Sequence, residues 1–373
     1  MVGFLEVKMK KRIVILLLAL MMVLAACGEK PLTKEEGVFY GTFDTMIMFV
    51  SYTKTKEEFN EQYAFVESEF KRLHNLYDGF NQHEGITNIY ELNKNAGKGP
   101  MKVEKDLFDL IKFSIDNYEK TNGKMNIALG SVTKIWMDAR NRNSELGTDH
   151  THEGEDHDHE SEIYIPTMDE LNEANKHTNI KDILLDEANM TVELKDPLMR
   201  LDVGAIAKGY ATELVIDGLK DKGVKHASIN AGGNVRTIGT PGDGRPKWGL
   251  AIQNPDENNS DYLEVLYIGE TSLVTSGDYQ RYFEKDGVRY HHIIDPDTLM
   301  PKTLYNSVSI ITEDSGLADY LSTTLYLVDK KEAEQILSRF DEEINVLWYS
   351  KEEGKTNTKG LDEFMESKGA QAK

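Results

Sequence analysis

Residues 201–210 read Leu201-Asp202-Val203-Gly204-Ala205-Ile206-Ala207-Lys208-Gly209-Tyr210. The segment is mostly apolar, yet it carries an acid, a lysine and two glycines where a helix is predicted to begin. Small residues at a helix N-terminus let backbone N–H groups approach an anion closely, and a lysine on the first turn adds a positive charge. The pattern is compatible with a phosphate site, but packing glycines and a solvated Lys208 would explain it equally well.

Three further segments interrupt the ordinary pattern of core and surface. Asn230-Ala231-Gly232-Gly233-Asn234 predicts a strand that ends in a close backbone approach or a tight turn. A small polar turn is predicted at 275–279, and a strand joins it to His291-His292-Ile293-Ile294-Asp295-Pro296. Asp319 and Thr323 lie four residues apart on one face of a predicted helix, so their oxygens could bind magnesium or calcium. A structural histidine and an ordinary helical acid remain the alternatives.

Apolar periodicity around these segments predicts both helices and strands. Residues 40–52 alternate as a strand does, and Thr167 to Glu170 form a capping box that opens a helix. Helical spacing relates Phe59, Tyr63, Val66, Phe70, Leu73 and Tyr77. Strands follow one another without helices between residues 263 and 311, which indicates antiparallel pairing. We therefore expect an α+β fold, with a mixed, largely antiparallel sheet and flanking helices in a single domain.

Composition excludes several classes of protein. The chain has 373 residues, with 64 acidic and 43 basic side chains and a net charge of -21. A protein this acidic lacks the clustered cations that bind nucleic acid through counterion release. Cys27 is the one cysteine in the sequence. An internal disulfide or a cage of several thiolates around a metal is therefore excluded.

The N-terminal segment accounts for Cys27. Basic residues at 8–12 precede an apolar run from Ile13 to Ala26, which is shorter than the roughly 20 residues of a membrane-spanning helix. The run ends Leu24-Ala25-Ala26-Cys27, which resembles a bacterial lipoprotein signal. We expect residues 1–26 to be a signal peptide, with Met1 or Met9 as the start, and residues 27–37 to be a lipidated tether. Two acyl chains on Cys27 would hold the protein on the extracytoplasmic face of the cell membrane.

An acidic, histidine-rich insertion is predicted at about residues 141–165. It contains Asp149-His150-Thr151-His152-Glu153 and Asp156-His157-Asp158-His159-Glu160 and has few large apolar residues. Such a segment is typical of a solvated loop, because it cannot bury enough surface to offset the entropy of ordering. Opportunistic binding of a divalent metal is the alternative.

Taken together, these segments make the sequence similar to the ApbE family, the FAD:protein FMN transferases. The family pattern Leu-Asp-x-Gly-x-Ile-Ala-Lys-Gly-Tyr is met by residues 201–210. His-x-Ile-Asp-Pro is met by 292–296, and Ala-Asp-x-x-Ser-Thr by 318–323. The resemblance also includes Tyr40-Gly41-Thr42, Asn93 and the stretch from Gly123 to Trp136. It implies one domain of this type over residues 38–366.

The resemblance implies a reaction and its partners. Members of the family cleave the pyrophosphate of FAD, transfer FMN to a threonine hydroxyl of a partner protein and release AMP. The expected substrates are FAD and an extracytoplasmic acceptor protein that carries the target threonine. By the same resemblance, a magnesium ion is held by Asp319, the Thr323 hydroxyl and the backbone carbonyl of Ala205. Phosphoryl transfer depends mainly on positioning and electrostatics, so the metal is expected to contribute strongly.

The resemblance also implies roles for the remaining residues of the site. Lys208 would bind the FAD phosphates, and Asp202 would contact the nucleotide. His292 is the expected general base, since an ordinary histidine pKa of ~6.5 suits proton removal near neutral pH, and Asp295 is expected to orient it. Phe80 is expected to stack on a ring of FAD. The other positions that line the FAD site in the family are Tyr40, Lys124, Met125, Asn126 and Ile293.

Two residues depart from the family pattern. Asn126 stands where relatives often carry aspartate, and Leu299 stands where the pattern has glycine. Neither belongs to the implied magnesium ligands, so they bear on fine specificity more than on the class of reaction. A magnesium-dependent FAD pyrophosphatase that uses water in place of threonine is the alternative within the same chemistry. A non-catalytic flavin-binding lipoprotein and an electron-transfer flavoprotein are alternatives from other classes.

Overall fold

The computed structural model describes residues 31–147, 163–256, 261–279 and 281–372. The predicted signal peptide, Cys27 and the histidines of the insertion lie outside these ranges. The helices are α1 (Lys56–Tyr77), α2 (Ile89–Lys94), α3 (Lys105–Tyr118), α4 (Gly130–Gly147), α5 (Met168–Asn175), α6 (Ala207–Asp221), α7 (Ser315–Tyr326) and α8 (Lys330–Leu337). Among the described residues, no helix has the length and apolar composition needed to cross a membrane.

The strands form one large sheet and three smaller ones in the described ranges. The strands are β1 (Thr33–Thr42), β2 (Thr45–Thr53), β3 (Met101–Lys102), β4 (Ile183–Asp186), β5 (Thr191–Leu194), β6 (Ala227–Ala231), β7 (Asn234–Ile238), β8 (Trp248–Gln253), β9 (Tyr262–Ile268), β10 (Ser272–Gly277), β11 (Tyr282–Lys285), β12 (Val288–His291), β13 (Ser307–Thr312), β14 (Asn345–Ser350) and β15 (Gly354–Asn357). The large sheet has the order β1-β2-β6-β7-β10-β13-β14-β15, and its neighbouring strands pair antiparallel. The predicted α+β fold with a largely antiparallel sheet is confirmed.

Both faces of the large sheet are covered, which explains its continuous apolar strands. On β2, Ile47 and Phe49 pack into the main core with the helices, while Val50 and Tyr52 pack on the opposite face with the β8–β9 ribbon. Successive side chains of a strand point to opposite faces, so a sheet covered on both sides needs apolar residues at nearly every position. The helix predicted from the stripe that starts at Phe59 is confirmed as α1, which packs on the first of these faces.

Two predicted boundaries near the N-terminus are wrong. Residues 40–52 were expected to be one strand, but β1 and β2 form a hairpin there, with Phe43 and Asp44 at φ of 52° and 50° in the turn. The alternation of Met46, Met48 and Val50 continues almost to this turn, so periodicity alone does not reveal it. The predicted tether also ends too late, because residues 33–37 already belong to β1 of the large sheet.

Two predicted loops are partly regular structure. The small polar turn predicted at 275–279 begins within β10, whose last residues are Thr275, Ser276 and Gly277. Small polar residues are accommodated there because the Ser276 hydroxyl hydrogen-bonds across to α7. The insertion predicted at 141–165 starts later than expected, since α4 continues to residue 147. Asn143 on that helix bonds the backbone N and O of Tyr164 at 2.9 and 2.8 Å, so its side chain joins the two ends of the insertion.

Candidate active site

The segment 201–210 is held in place by a buried asparagine. The Asn93 side chain donates to the Leu201 carbonyl at 3.0 Å and accepts from the Leu201 N–H at 2.6 Å. Asp202, the next residue, uses its carboxylate to accept from the Gly204 N–H at 2.9 Å and from the Thr133 hydroxyl at 2.7 Å. Asp202 therefore shapes the turn that leads into α6, while its side chain remains exposed at the rim of the site.

Helices α6 and α7 meet at Gly209. Its N–H donates to a carboxylate oxygen of Asp319 at 2.7 Å. A Cβ at position 209 would lie 2.4 Å from both the Asp319 Cβ and the Ser315 carbonyl oxygen. The glycine is thus required for the close approach of the two helices. Asp319 is 7% exposed, and burial raises its pKa, although the charge of Lys208 and the bond from Gly209 oppose that shift.

Lys208 joins the same site to the turn between β6 and β7. Its Nζ donates to the Gly232 carbonyl at 3.1 Å. Gly232 and Gly233 form a two-residue hairpin turn, with φ of 57° and 93°, so the tight-turn interpretation of this segment is confirmed. Burial lowers the pKa of Lys208, whereas the charge of Asp319 raises it. The turn therefore holds the lysine beside the buried carboxylate.

Hydroxyl groups from β10 reach the face of α7 that carries Asp319. Ser276 Oγ lies 2.7 Å from Ser322 Oγ and 3.3 Å from Thr323 Oγ1. Thr323 is half-buried and lies one helical turn after Asp319. Asn234 at the start of β7 is buried, and its Nδ2 has no hydrogen-bond partner among the described residues. Its amide lies close enough to lower the pKa of Asp319, which places β7, β10 and α7 around one polar site.

His292 follows β12 at the open end of the β11–β12 hairpin. The register pairs Tyr282 with His291, so Arg281 and His292 face each other just beyond the last pair. The His292 side chain is exposed to solvent on one side. Burial by the surrounding protein and, to a smaller extent, the positive charge of Arg281 lower its pKa below the ordinary value. The side chain is therefore neutral near pH 7 and able to accept a proton. The positive charge of Arg281 also contributes to the lowered pKa of Lys208, after burial of the lysine.

Asp295 has different partners from those expected. Its carboxylate binds Lys124 Nζ at 3.1 Å and Lys302 Nζ at 3.0 Å. Although burial acts to raise it, the pKa of Asp295 is lowered by Lys302, the Asp297 N–H and Lys124. Both carboxylate oxygens are engaged by lysines, so the contacts do not support the expected orientation of His292. Asp295 instead ties the segment after His292 to Lys124.

The residues expected to line the FAD site fall into two groups. Tyr40 and Phe80 are 71% and 65% exposed, so their rings are free to stack on a ligand. The other group is buried and can contribute only to the inner wall of the FAD site; it consists of Lys124, Met125 and Ile293. Asn126 accepts from the Ala128 N–H and donates to the Thr178 carbonyl, both at 2.9 Å. Its amide forms a turn, a role for which no charge is required.

The second departure from the family pattern has a structural cost. Leu299 has a φ of 61°, in the left-handed region that favours glycine, yet its side chain is 3% exposed. It packs in the cluster formed by α4, α5 and the segment after β12, and its carbonyl accepts from Trp136 Nε1 at 2.8 Å. Burial of the leucine side chain thus compensates for an unfavourable backbone conformation.

The donor set of the implied magnesium site suits a hard cation. Asp319 supplies a carboxylate, Thr323 a hydroxyl and Ala205 a main-chain carbonyl, and oxygen donors of these kinds are the ligands magnesium prefers. A carboxylate as buried as Asp319 is stabilised by a cation. No three His, Cys, Asp or Glu side chains converge within the described ranges, but the implied set contains a single such residue. The residues present therefore fit the ion.

Comparison with known proteins agrees with this arrangement. The model of the ApbE family matches residues 43–348, which include the motifs at 201–210, 292–296 and 318–323. The chain belongs to the ApbE family. A relative from Klebsiella pneumoniae (strain 342) named FAD:protein FMN transferase is 33% identical over 239 residues, which are 64% of this chain and 67% of the relative. One from Treponema pallidum with the same name is 29% identical over 328 residues, or 84% of each chain.

Solved structures of the ApbE family share this fold. The crystal structure of the ApbE protein from Thermotoga maritima has a TM-score of 0.72 at 26% identity, covering 89% of this chain and 99% of that one. The flavin transferase ApbE from Vibrio cholerae has a TM-score of 0.70 at 20% identity, covering 90% of this chain and all of that one. The fold expected from the sequence resemblance is confirmed over most of the chain.

Sequence reasoning missed several residues of the site. Arg140, Arg281 and Asn234 had no assigned role, and Gly209 was treated as a possible packing glycine. A signal for Arg281 was present, because pairing the strands on either side of Asp286-Gly287 places it opposite His292. Arg140 had no comparable signal, since its position depends on how α4 packs against the hairpin.

Proposed function

We propose that this protein is an FAD:protein FMN transferase, which moves FMN from FAD to a threonine hydroxyl of an acceptor protein and releases AMP. The observation that carries the proposal is the placement of Lys208 beside the buried carboxylate of Asp319 where α6 meets α7, with neutral His292 at the open end of the β11–β12 hairpin. A phosphate-binding cation, a carboxylate suited to a metal and a neutral base are the groups that this transfer requires. The names of the relatives support the same reaction.

Each residue of the site has a separate role in the proposed transfer. Lys208, held by the Gly232 carbonyl, lies on the first turn of α6, where its charge and the positive end of the helix dipole favour the diphosphate of FAD. His292 accepts the proton of the threonine hydroxyl as its oxygen bonds to the phosphorus of the FMN moiety. The bond from that phosphorus to the bridging oxygen breaks, and AMP leaves with the bonding electron pair. Exposed Tyr40 and Phe80 are available to position the rings of FAD.

Magnesium is part of the proposal. Asp319, the Thr323 hydroxyl and the Ala205 carbonyl would hold it, and the fit of these oxygen donors is the support. A bound magnesium ion would neutralise charge on the diphosphate during transfer. Ser276 contacts the Thr323 hydroxyl and thereby limits its rotation. We expect chelation with EDTA to stop transfer and added magnesium to restore it.

We also propose that the protein acts outside the cytoplasm, attached to the cell membrane through lipidated Cys27. The support is the sequence pattern of residues 8–27, with its basic flank, short apolar run and cysteine. The acceptor would then be an extracytoplasmic protein with an accessible threonine. Labelling cells with a palmitate analogue tests the anchor, since a Cys27→Ser variant should lose both the label and the membrane association.

Intact-mass measurement distinguishes the proposed transfer from its alternatives. The mature protein is incubated with FAD, magnesium and a candidate acceptor, and both the acceptor mass and free AMP are measured. An acceptor that gains one FMN supports transfer. AMP release without an adduct, for every acceptor tested, favours the pyrophosphatase, and intact FAD would refute both enzymatic functions. An acceptor with its target threonine replaced by valine is the matched control.

A further inference from the structure

Two arginines outside the motifs lie close together beside His292. Arg140 is half-buried on α4, and Arg281 is exposed just before β11. In the described ranges no carboxylate forms an ion pair with either guanidinium, although the sequence has 64 acidic side chains against 43 basic ones. By contrast, Arg289 on the same hairpin binds Glu284 at 3.3 Å. Among the described residues, the two guanidiniums are therefore cations without a carboxylate counterion.

Aromatic packing brings these arginines together. Trp136 on α4 stacks on Tyr290 of β12 with ring centroids 5.9 Å apart, and Tyr290 stacks on Phe283 of β11 at 5.2 Å. Arg140 lies one helical turn after Trp136 and therefore on the same face of α4. Arg281 precedes β11 by one residue. The stacked rings thus fix α4 against the hairpin, and the charge of Arg281 at the open end of the hairpin acts on Arg140.

The charge of Arg281 acts on three basic groups. The pKa values of Arg140, His292 and Lys208 are each lowered first by burial and then, in part, by Arg281. An arginine does not lose its proton in a protein, so the repulsion between Arg140 and Arg281 persists at every working pH. A bound anion removes this repulsion, and planar guanidiniums suit phosphate oxygens because they donate two hydrogen bonds at once.

We propose that Arg140 and Arg281 form an anion subsite, here called the arginine pair, that binds the diphosphate of FAD together with Lys208. This inference rests on the proposed function for the identity of the ligand. Lys208 contacts the diphosphate from α6, whereas the arginine pair contacts it from α4 and the β11–β12 hairpin. The pair thereby offsets the negative charge of the protein at the place where a dianionic group must bind and where His292 accepts a proton.

Binding measurements on single variants test the arginine pair without requiring turnover. Arg140→Gln, Arg281→Gln and the control Arg142→Gln are compared in EDTA and in magnesium. Arg142 is two residues along the same helix, and its guanidinium lies 5.0 Å from the Tyr164 ring centroid. FAD and riboflavin binding are followed by flavin fluorescence, and ADP binding by calorimetry. FAD and ADP carry a diphosphate, whereas riboflavin has no phosphate.

We expect each glutamine variant of the pair to weaken FAD and ADP about tenfold or more, as loss of a charged hydrogen bond does, with riboflavin and Arg142→Gln unchanged. Arg140→Lys and Arg281→Lys, which keep the charge, should recover part of the loss. Equal weakening of riboflavin would indicate a damaged fold, and unchanged ADP affinity would overturn the inference. If the wild type bound FAD and ADP but transferred no FMN, the proposed function would be refuted, whereas diphosphate binding by the arginine pair would remain supported.

Discussion

Replacing Gly209 with alanine tests how closely α6 and α7 must approach. The added Cβ would lie 2.4 Å from the Asp319 Cβ and from the Ser315 carbonyl oxygen, whereas ordinary contacts begin at 3.4 Å. The helices must therefore separate by about 1 Å, since neither neighbour is the end of a flexible side chain. The 2.7 Å bond from Gly209 N–H to Asp319 would then be broken. Overpacking of this kind costs about 1–3 kcal/mol.

The same displacement should reduce activity more than stability. Lys208 moves with α6, and Asp319 stays with α7, so their separation changes by about 1 Å, a misplacement that can reduce rates about a hundredfold. Urea unfolding and FMN transfer are measured side by side. Gly269→Ala is the control, because a Cβ added there would meet nothing within 4 Å and the residue is not at positive φ. Wild-type stability and transfer rate in Gly209→Ala would refute the close-approach argument.

Three further predictions concern other buried groups. Leu299→Ala should lose about 2–5 kcal/mol of folding stability because of the cavity it leaves. Leu299→Gly should be about 1 kcal/mol more stable than the alanine variant, because only glycine relieves the strain of a φ of 61°. The reverse order in urea unfolding would contradict this account. Asp319→Asn should match or exceed the wild-type melting temperature, because it removes a desolvated charge. The same variant should reduce FMN transfer a hundredfold or more. If it were active and responded to metal, Asp319 would not be one of the metal ligands. Burial lowers the pKa of His291 to about 4, so between pH 6.5 and 4 the unfolded chain binds a proton that the folded chain does not. Folding stability should therefore fall by at most about 3 kcal/mol as the pH drops through this range. His291→Gln should show a shallower decline, and a slope identical to that of the wild type would exclude the linkage.

Local patterns predicted most of the regular structure correctly. The stripe from Phe59 to Tyr77, the Thr167 capping box and the helix that begins at Ala207 all appear as expected. These features depend on neighbours three or four residues apart, so the sequence contains the whole interaction. The hairpin turn at Phe43 and Asp44 was missed because those residues adopt positive φ without a glycine to signal it.

The roles of individual side chains depended on contacts between distant segments. Asp295 was expected to orient His292, but in the fold its carboxylate is bound by Lys124, 171 positions earlier, and by Lys302. Asn126 looked like the loss of a charge near the flavin, whereas its amide forms a turn against Thr178. Sequence spacing does not determine which of several nearby cations a carboxylate will bind.

The sequence by itself determined the family, the fold class and the motifs that carry the chemistry, because each motif is a short run of residues with its own spacing. Only the tertiary structure decided how those motifs meet. Gly209 brings two helices into contact, the Gly232 carbonyl holds Lys208, and aromatic stacking fixes the helix that carries Arg140 against the β11–β12 hairpin. These are long-range packing outcomes, and their energies depend on burial and distance, which the order of residues along the chain does not specify.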